Sequence, residues 1–236
     1  MNYDDLQKVL SSWPVGERRK LFDDLRTEFL IHSLETEFNA PAEVILGAIA
    51  RAPDITKRGI RGLLAEAAFA IDVIPTVASE GWADIMPPSG GAGNTQPFDA
   101  LLERDGIKVR IQVKTQRREK GKPWIKHFPS PWGECYVVET QRTRGGTDKK
   151  TGKRTRPYHF GEFDVLAVCM WASTGDWTNF RYAIGNDLSP EAKDAEFIGH
   201  VQPIPQDPGA KGFWTPSLHE ILKLFIDRQK QPIKPS

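Results

Sequence analysis

Apolar residues recur with helical spacing through the first 55 positions, and helix-breaking residues separate them into three sets. Trp13-Pro14 divides the first two sets, Pro41 opens the third and Pro53 closes it. The pattern predicts three short helices in an N-terminal helical subdomain over residues 1–55. The three sets are Leu6, Val9 and Leu10; Leu21, Leu25, Phe29 and Leu30; and Val44, Ile45, Ala48 and Ile49.

Two further helices are predicted beyond this region. Thr56 is a suitable N-cap for a longer helix that Pro75 ends, and Thr215-Pro216 precedes a C-terminal amphipathic helix. The apolar stripe of the longer helix consists of Ile60, Leu63, Leu64, Ala67 and Ile71, and that of the C-terminal helix of Leu218, Ile221, Leu222, Phe225 and Ile226.

Residues 97–118 read as two strands joined by a tight turn at Arg104, Asp105 and Gly106. The run at 163–171 is continuously apolar, as in a strand covered on both faces, and the segment from Phe180 predicts a neighbouring strand. In the second hairpin strand, alternation places Ile107, Val109, Ile111 and Val113 toward a core and Arg110, Gln112 and Lys114 on the polar face. We therefore expect a second domain over residues 56–230.

Composition is typical of a globular protein, with 236 residues of which 39% are hydrophobic and 27% charged. No stretch reaches the 18 or so apolar residues of a membrane span, and the first ten residues lack the apolar core of a signal peptide. We expect a cytoplasmic protein with no membrane partner. Cys135 and Cys169 have no metal-ligand spacing, so two reduced thiols are expected.

The net charge of +1 hides a strong asymmetry along the chain. Residues 114–156 contain 13 Lys and Arg against 4 acidic residues, a net charge of +9, whereas the rest of the chain carries −8. A basic middle on an acidic body concentrates positive potential on one surface. This distribution is typical of proteins that hold a phosphate backbone.

The polar face of the hairpin contains the candidate chemistry. The tight turn brings Asp99 alongside Gln112 and Lys114, so that a carboxylate, an amide and an ammonium group meet. Hydrolysis of a phosphodiester needs a cation that neutralises developing charge and a group that orients water. Asp99 can hold Mg²⁺ together with the side-chain carbonyl of Gln112 or the backbone carbonyl of Val113, while Lys114 contacts the nucleophile or the phosphate.

These residues resemble the PD-(D/E)xK nuclease superfamily. Pro97-Phe98-Asp99 stands where that family has its Pro-Asp element, with a phenylalanine inserted, and Gln112-Val113-Lys114 stands where it has its (D/E)xK tripeptide. Glutamine is a variant that removes one negative charge, which favours a single Mg²⁺, with Mn²⁺ as a substitute. Some members also carry a glutamate on the preceding helix, and Glu66 occupies a suitable place, although a solvated surface glutamate fits equally well.

The resemblance implies an α+β (α/β) fold, a restriction-endonuclease-like mixed β-sheet flanked by helices. It further implies a type II restriction endonuclease that acts on double-stranded DNA as a homodimer, in which water oriented by Lys114 attacks phosphorus while Asp99 and Gln112 hold the cation and Glu66 assists. The N-terminal helices then pair subunits, contact DNA or cover the sheet. Expected DNA-binding residues are Arg110, Arg117, Arg118, Lys120, Lys122, Arg142, Arg144, Lys149, Lys150, Arg154 and Arg156, among which Arg142 and Arg144 are candidate base readers.

Several alternatives remain open at the level of sequence. The hairpin face can be an ordinary Asp–Lys cross-strand pair. The protein can be a structure-selective repair or junction nuclease, a catalytically inactive DNA-binding protein on the same fold, or a nuclease directed at RNA, because phosphate contacts do not distinguish the sugars. Glu103 and Asp84 are weaker candidates for metal ligands.

Overall fold

The computed structural model describes residues 2–28, 33–86, 96–142, 156–207, 209 and 212–230. The chain divides into two compact units, Met1–Lys57 and Arg58–Ser236. The strands of the described residues are β1 Ala83–Asp84, β2 Ala100–Arg104, β3 Ile107–Thr115, β4 Arg118–Glu119, β5 Lys122–Pro123, β6 Ile125–Phe128, β7 Gly133–Glu139, β8 Val165–Cys169, β9 Phe180–Ile184, β10 Pro190–Glu191, β11 Asp194–Ile198 and β12 Val201–Pro205.

The first unit is helical. A capping box opens its first helix, in which the Asn2 side chain accepts from the Asp5 N–H at 2.9 Å and the Asp5 carboxylate accepts from the Asn2 N–H at 3.3 Å. The expectation of three helices is wrong, because the described residues form four. The additional helix has six residues, too few to show a helical period. The four are α1 Tyr3–Ser12, α2 Val15–Glu28, α3 Ser33–Phe38 and α4 Ala42–Arg51.

The next helix, α5, spans Asp54–Ala68 and continues as a π-helical turn, Phe69–Val73, and a 3₁₀ helix, Ile74–Glu80. Two expectations about its ends are wrong. The helix begins at Asp54 rather than after a cap at Thr56. Pro75 does not end it, because proline is tolerated in the first turn of the 3₁₀ helix, where its missing N–H has no helical partner.

The buried face of this helix also differs from the predicted stripe. Leu63 and Ile71 are 65% and 71% exposed, whereas Ala65, Phe69 and Val73 are buried. The wider π-helical turn accommodates an extra residue, so the face that follows Ala65 advances in steps of four and no longer follows the 3.6-residue period assumed from sequence. The face of the helix that contains Phe69 therefore packs on the sheet, and Leu63 and Leu64 point away from the core.

By length and composition, the continuous helical segment Asp54–Glu80 could cross a membrane, since its most apolar window has a mean hydropathy of 1.5. The expectation that no such stretch exists is therefore wrong. Core helices of globular domains meet the same criterion, and 33% of this window is buried. Phe69, Val73 and Val77 belong to the hydrophobic core beside the sheet, which favours a core helix.

The central sheet has five strands in the order β1-β2-β3-β8-β9. The β2–β3 hairpin turns at Asp105 and Gly106, whose φ angles of 52° and 78° suit a tight turn with two left-handed residues. Strand β8 runs parallel to β3, whereas β9 is antiparallel to β8, so the sheet is mixed. All five residues of β8 are buried, which confirms the strand predicted from the run at 163–171.

The two faces of this sheet pack against different partners. On one face, Val109, Ile111 and Val113 join a core with the α5 segment and with α7, Leu218–Lys230. On the other face, Leu166 and Val168 pack with residues of the second, three-stranded sheet, β12-β7-β6. The short helix α6, Trp171–Thr174, follows β8. The chain is therefore an α+β protein whose mixed sheet is flanked by helices, as predicted.

We expect Phe69→Ala and Ile71→Ala to differ sharply in stability. Phe69 is 1% exposed with its ring centroid 5.2 Å from that of Phe180, so its truncation should cost about 3–5 kcal/mol of unfolding free energy. Ile71 is exposed, so its loss should change stability by less than about 0.5 kcal/mol. Urea denaturation of both variants measures the difference, and equal losses would contradict the buried face described here.

Candidate active site

The hairpin register places Asp99 beside Gln112. Ala100 pairs with Ile111, and the Asp99 N–H donates to the Ile111 carbonyl at 2.8 Å, which sets Asp99 opposite Gln112. The Asp99 Oδ2 atom accepts from the Val113 N–H at 2.8 Å and from Gln112 Nε2. One backbone and one side-chain hydrogen bond from β3 therefore fix the Asp99 carboxylate, which lies just before the first residue of β2.

Lys114 joins this pair through Tyr158. The Lys114 Nζ atom donates to the Tyr158 hydroxyl at 3.3 Å, and that hydroxyl donates to Gln112 Oε1 at 3.2 Å. Tyr158 is only 4% exposed, with its ring packed edge-on against Phe163 at 5.4 Å between centroids. Asp99, Gln112, Lys114 and Tyr158 therefore form one hydrogen-bonded group on the polar face of the hairpin.

Sequence reasoning missed Tyr158 as a member of this group. The residue lies 44 positions after Lys114 and has no partner pattern of its own. The Tyr158 ring packs in the hydrophobic cluster that contains Leu166 and Val168 of β8. The contact between its hydroxyl and Gln112 joins distant parts of the chain, so no local sequence pattern indicates it.

Glu66 is electrostatically coupled to the same group. The pKa of Glu66 is raised to about 7, mainly by burial and also by the Asp99 carboxylate, while Lys114 acts the other way. Glu66 is half-buried, so the alternative of a fully solvated glutamate does not fit, and its electrostatic interaction with Asp99 and Lys114 associates it with their group.

The other two ionisable groups are perturbed in opposite directions. Burial raises the pKa of Asp99 above its ordinary value, while Lys114 and the Val113 N–H act the other way. Burial lowers the pKa of Lys114, against the attraction of Asp99 and Glu66. Two carboxyls that resist ionisation beside an amine that resists protonation are typical of functional sites.

The oxygen atoms of the site suit a hard divalent cation. Gln112 Nε2 donates to the Val113 carbonyl at 3.1 Å as well as to Asp99, so two oxygens converge on one point. With Glu66 nearby, the site offers carboxylate, carbonyl and amide oxygens, the donors that Mg²⁺ takes. Among the described residues no three His, Cys, Asp or Glu side chains cluster, so neutral oxygens have to contribute.

The Gln112 amide turns its nitrogen toward Asp99 and its Oε1 atom toward Tyr158. Of the two carbonyls expected to join Asp99, that of Val113 lies on the Asp99 side of the amide in this orientation. The physical reason is that the Asp99 and Val113 oxygens are both acceptors and take the donor end of the amide. The weaker candidates are not brought into the site: Glu103 faces Lys108 at 3.8 Å and Asp84 accepts from the Met86 N–H.

Three of the predicted DNA-binding arginines hold ion pairs. Arg110 was expected to share the polar surface, but its guanidinium donates to the Asp164 carboxylate at 2.8 and 2.9 Å. The same carboxylate also accepts from the Arg110 N–H, which holds the two residues together. Arg117 pairs with Glu139 at 3.1 Å. Arg142 pairs with Glu162 at 2.6 Å, and its guanidinium lies 4.9 Å from the centre of the Tyr158 ring, which places it at the site.

The remaining basic candidates fall into two groups. Lys120 and Lys122 are exposed on the β4–β5 hairpin, Arg118 lies over the Trp171 ring at 4.9 Å, and Arg156 is exposed. Arg144, Lys149, Lys150 and Arg154 lie outside the described residues, as does most of the Gly-rich segment that precedes the hairpin.

No protein-family model and no curated protein matches the sequence. Among solved structures, the chain is similar to a bacterial homing endonuclease, I-Ssp6803I, with 17% sequence identity and a TM-score of 0.40. The alignment covers 73% of this chain and 98% of that one. At this identity and TM-score, the likeness establishes neither family nor activity for this chain.

We expect Glu66 to make stability fall with rising pH. Because its pKa is raised from 4.5 to about 7 in the folded state, the folded chain binds more protons than the unfolded chain between these values. The contribution is fully present below pH 4.5 and is lost as pH rises through about 7. Urea denaturation of wild type and Glu66→Gln at about pH 5 and about pH 8 measures it. An identical pH dependence in both proteins would contradict the assignment.

Proposed function

We propose that this protein is a metal-dependent endonuclease that hydrolyses phosphodiester bonds in double-stranded DNA through a PD-(D/E)xK-like site. The observation that carries the proposal is the meeting of Asp99, Gln112 and Lys114 on one hairpin, with Glu66 coupled to them electrostatically. A cross-strand Asp–Lys pair alone does not explain a buried amide held at both ends or a carboxyl with a pKa near 7.

Asp99, Glu66, the Val113 carbonyl and the Gln112 amide would hold one Mg²⁺ or Mn²⁺. When bound, the cation supplies positive charge that neutralises the charge developing on the scissile phosphate. The neutral glutamine leaves the group with two carboxylates rather than three, which supports one cation rather than two. The raised pKa values of Asp99 and Glu66 reflect a cost of ionisation that a cation would offset.

Lys114 is the group that would act on the reacting atoms. Its amine lies in the same hydrogen-bonded group as Asp99 and has a lowered pKa, so it can orient the attacking water and accept a proton more readily than an exposed lysine. In its protonated form it also stabilises the charge on the phosphate. The Tyr158 hydroxyl fixes where the Nζ atom lies.

DNA would contact the basic rim around this group. Arg142, beside Tyr158, and Arg118, Lys120, Lys122 and Arg156 are the described candidates, and Arg144, Lys149, Lys150 and Arg154 belong to the same basic segment of the sequence. Arg110, Arg117 and Arg142 are each held by a carboxylate, with which a phosphate would have to compete. Of these three, Arg142 also lies over the Tyr158 ring, so we keep it as a DNA contact and assign Arg110 and Arg117 a supporting role.

We expect Lys114→Ala to lose at least about 100-fold in DNA cleavage while DNA binding changes little, because proton transfer and charge stabilisation are lost at the reacting atoms. Plasmid nicking and linearisation in Mg²⁺ buffer measure the activity, and a gel-shift assay measures binding. Lys108→Ala is the matched control on the same strand, since Lys108 is exposed and pairs with Glu103.

A fully active Lys114→Ala protein would contradict the proposal. The wild-type digest also separates the finer assignments. Discrete fragments from a sequenced plasmid support a type II restriction endonuclease, whereas cleavage confined to branched DNA supports a junction nuclease. Binding to DNA without any cleavage or cation binding supports an inactive DNA-binding protein.

A homodimer is part of the proposed restriction function, because cutting both strands of a twofold-symmetric site needs two equivalent active sites. We expect sedimentation velocity to give twice the 26.5 kDa chain mass at the concentration used for cleavage. A monomer that cuts both strands at one site would contradict this arrangement.

A further inference from the structure

The Gln112 side chain is bonded at both ends of its amide. Its nitrogen donates to the Asp99 carboxylate and to the Val113 carbonyl at 3.1 Å, and its oxygen accepts from the Tyr158 hydroxyl at 3.2 Å. The residue is 3% exposed. A buried amide whose two donors and one acceptor all have partners is held firmly in this orientation.

This orientation competes with a cation for the same place. The Asp99 and Val113 oxygens that would ligate a cation are the ones that accept from Gln112 Nε2. A cation between them requires an oxygen, not an N–H group, from Gln112. The amide therefore has to turn by half a rotation about its terminal bond before Gln112 can serve as a ligand.

The hydrogen bonds of the Tyr158 hydroxyl oppose that rotation. After it, Nε2 would point at the Tyr158 oxygen, which already accepts from Lys114 Nζ at 3.3 Å, and the tyrosine's own hydrogen would lose Oε1 as its acceptor. The ring cannot easily move away, because Phe163 packs on its edge and the Arg142 guanidinium lies 4.9 Å from its centre.

We propose that Tyr158 is a positioning residue whose hydroxyl holds the Gln112 amide in its cation-excluding orientation and thereby sets the affinity of the site for its cation. The inference rests on the proposed function and deepens it, because it explains how a site with glutamine in place of an acidic residue controls cation entry. Tyr158 acts here through Gln112 and touches no reacting atom.

The test is a double-mutant cycle read by calorimetric titration of Mn²⁺ in the absence of DNA. Tyr158→Phe should tighten Mn²⁺ binding by about three- to tenfold, the value of one hydrogen bond. The same substitution in a Gln112→Glu background should have no effect, because a carboxylate presents oxygen at both ends and has no orientation to select. A purely structural role of Tyr158 would shift both backgrounds alike.

Two controls define the site and the substitution. Asp99→Asn should abolish the measured binding. Tyr182→Phe removes the hydroxyl of another buried tyrosine, in the core on the α5 side, and should leave Mn²⁺ affinity unchanged. Unchanged or weaker binding by Tyr158→Phe, or an equal shift in the Gln112→Glu background, would overturn the inference.

A second measurement covers the case in which Tyr158→Phe fails to fold. In wild-type protein the Gln112 side-chain amide resonances should shift when Mg²⁺ is added, since rotation exchanges their Asp99 and Val113 acceptors for Tyr158. Resonances that do not move on saturation would refute the rotation. Plasmid cleavage measured in parallel keeps the two proposals apart: a protein that binds Mn²⁺ and cuts DNA without the coupling refutes the inference alone, whereas one that does neither refutes both.

Discussion

The site depends on a partly buried carboxylate that two adjacent residues of β3 satisfy. Asp99 has lost part of its hydration, and the Val113 N–H and the Gln112 amide serve as its donors. Both are available only in the observed hairpin register, because a slip of one residue would turn Gln112 and Lys114 to the opposite face of the sheet. The register that pairs β2 with β3 therefore also determines which side chains meet in the site.

The charged groups around Asp99 shift one another's pKa values. Bringing them together lowers the free energy of unfolding. Glu66 and Asp99 repel each other, Lys114 is partly desolvated, and the neutral Tyr158 hydroxyl links Lys114 to Gln112. The rest of the domain supports this arrangement with apolar packing on both sides of the sheet. The free-energy cost of bringing these groups together is therefore offset by the packing of the whole core.

Local patterns predicted the hairpin, the buried strand β8 and the meeting of Asp99 with Gln112, because alternation and a two-residue turn fix which side chains share a face. They failed where the cause is not local. The π-helical turn moved the buried face to Phe69, the Arg110–Asp164 pair joins residues 54 positions apart, and Tyr158 enters from another part of the chain. Such contacts follow from tertiary packing, which single-sequence periodicity does not encode.

The chain leaves the central sheet after β3 and returns to it at β8, and each of these two points is hydrogen-bonded to the neighbouring parallel strand. Gln116 donates to the Cys169 carbonyl at one end, and Asp164 donates to the Arg110 carbonyl at the other. The excursion between them contains the second sheet's β6 and β7 and much of the basic rim. The length and charge of the segment between these two points can therefore change while the bonds at Gln116 and Asp164 keep β3 and β8 in register, and the Tyr158 hydroxyl holds the end of that segment against Gln112.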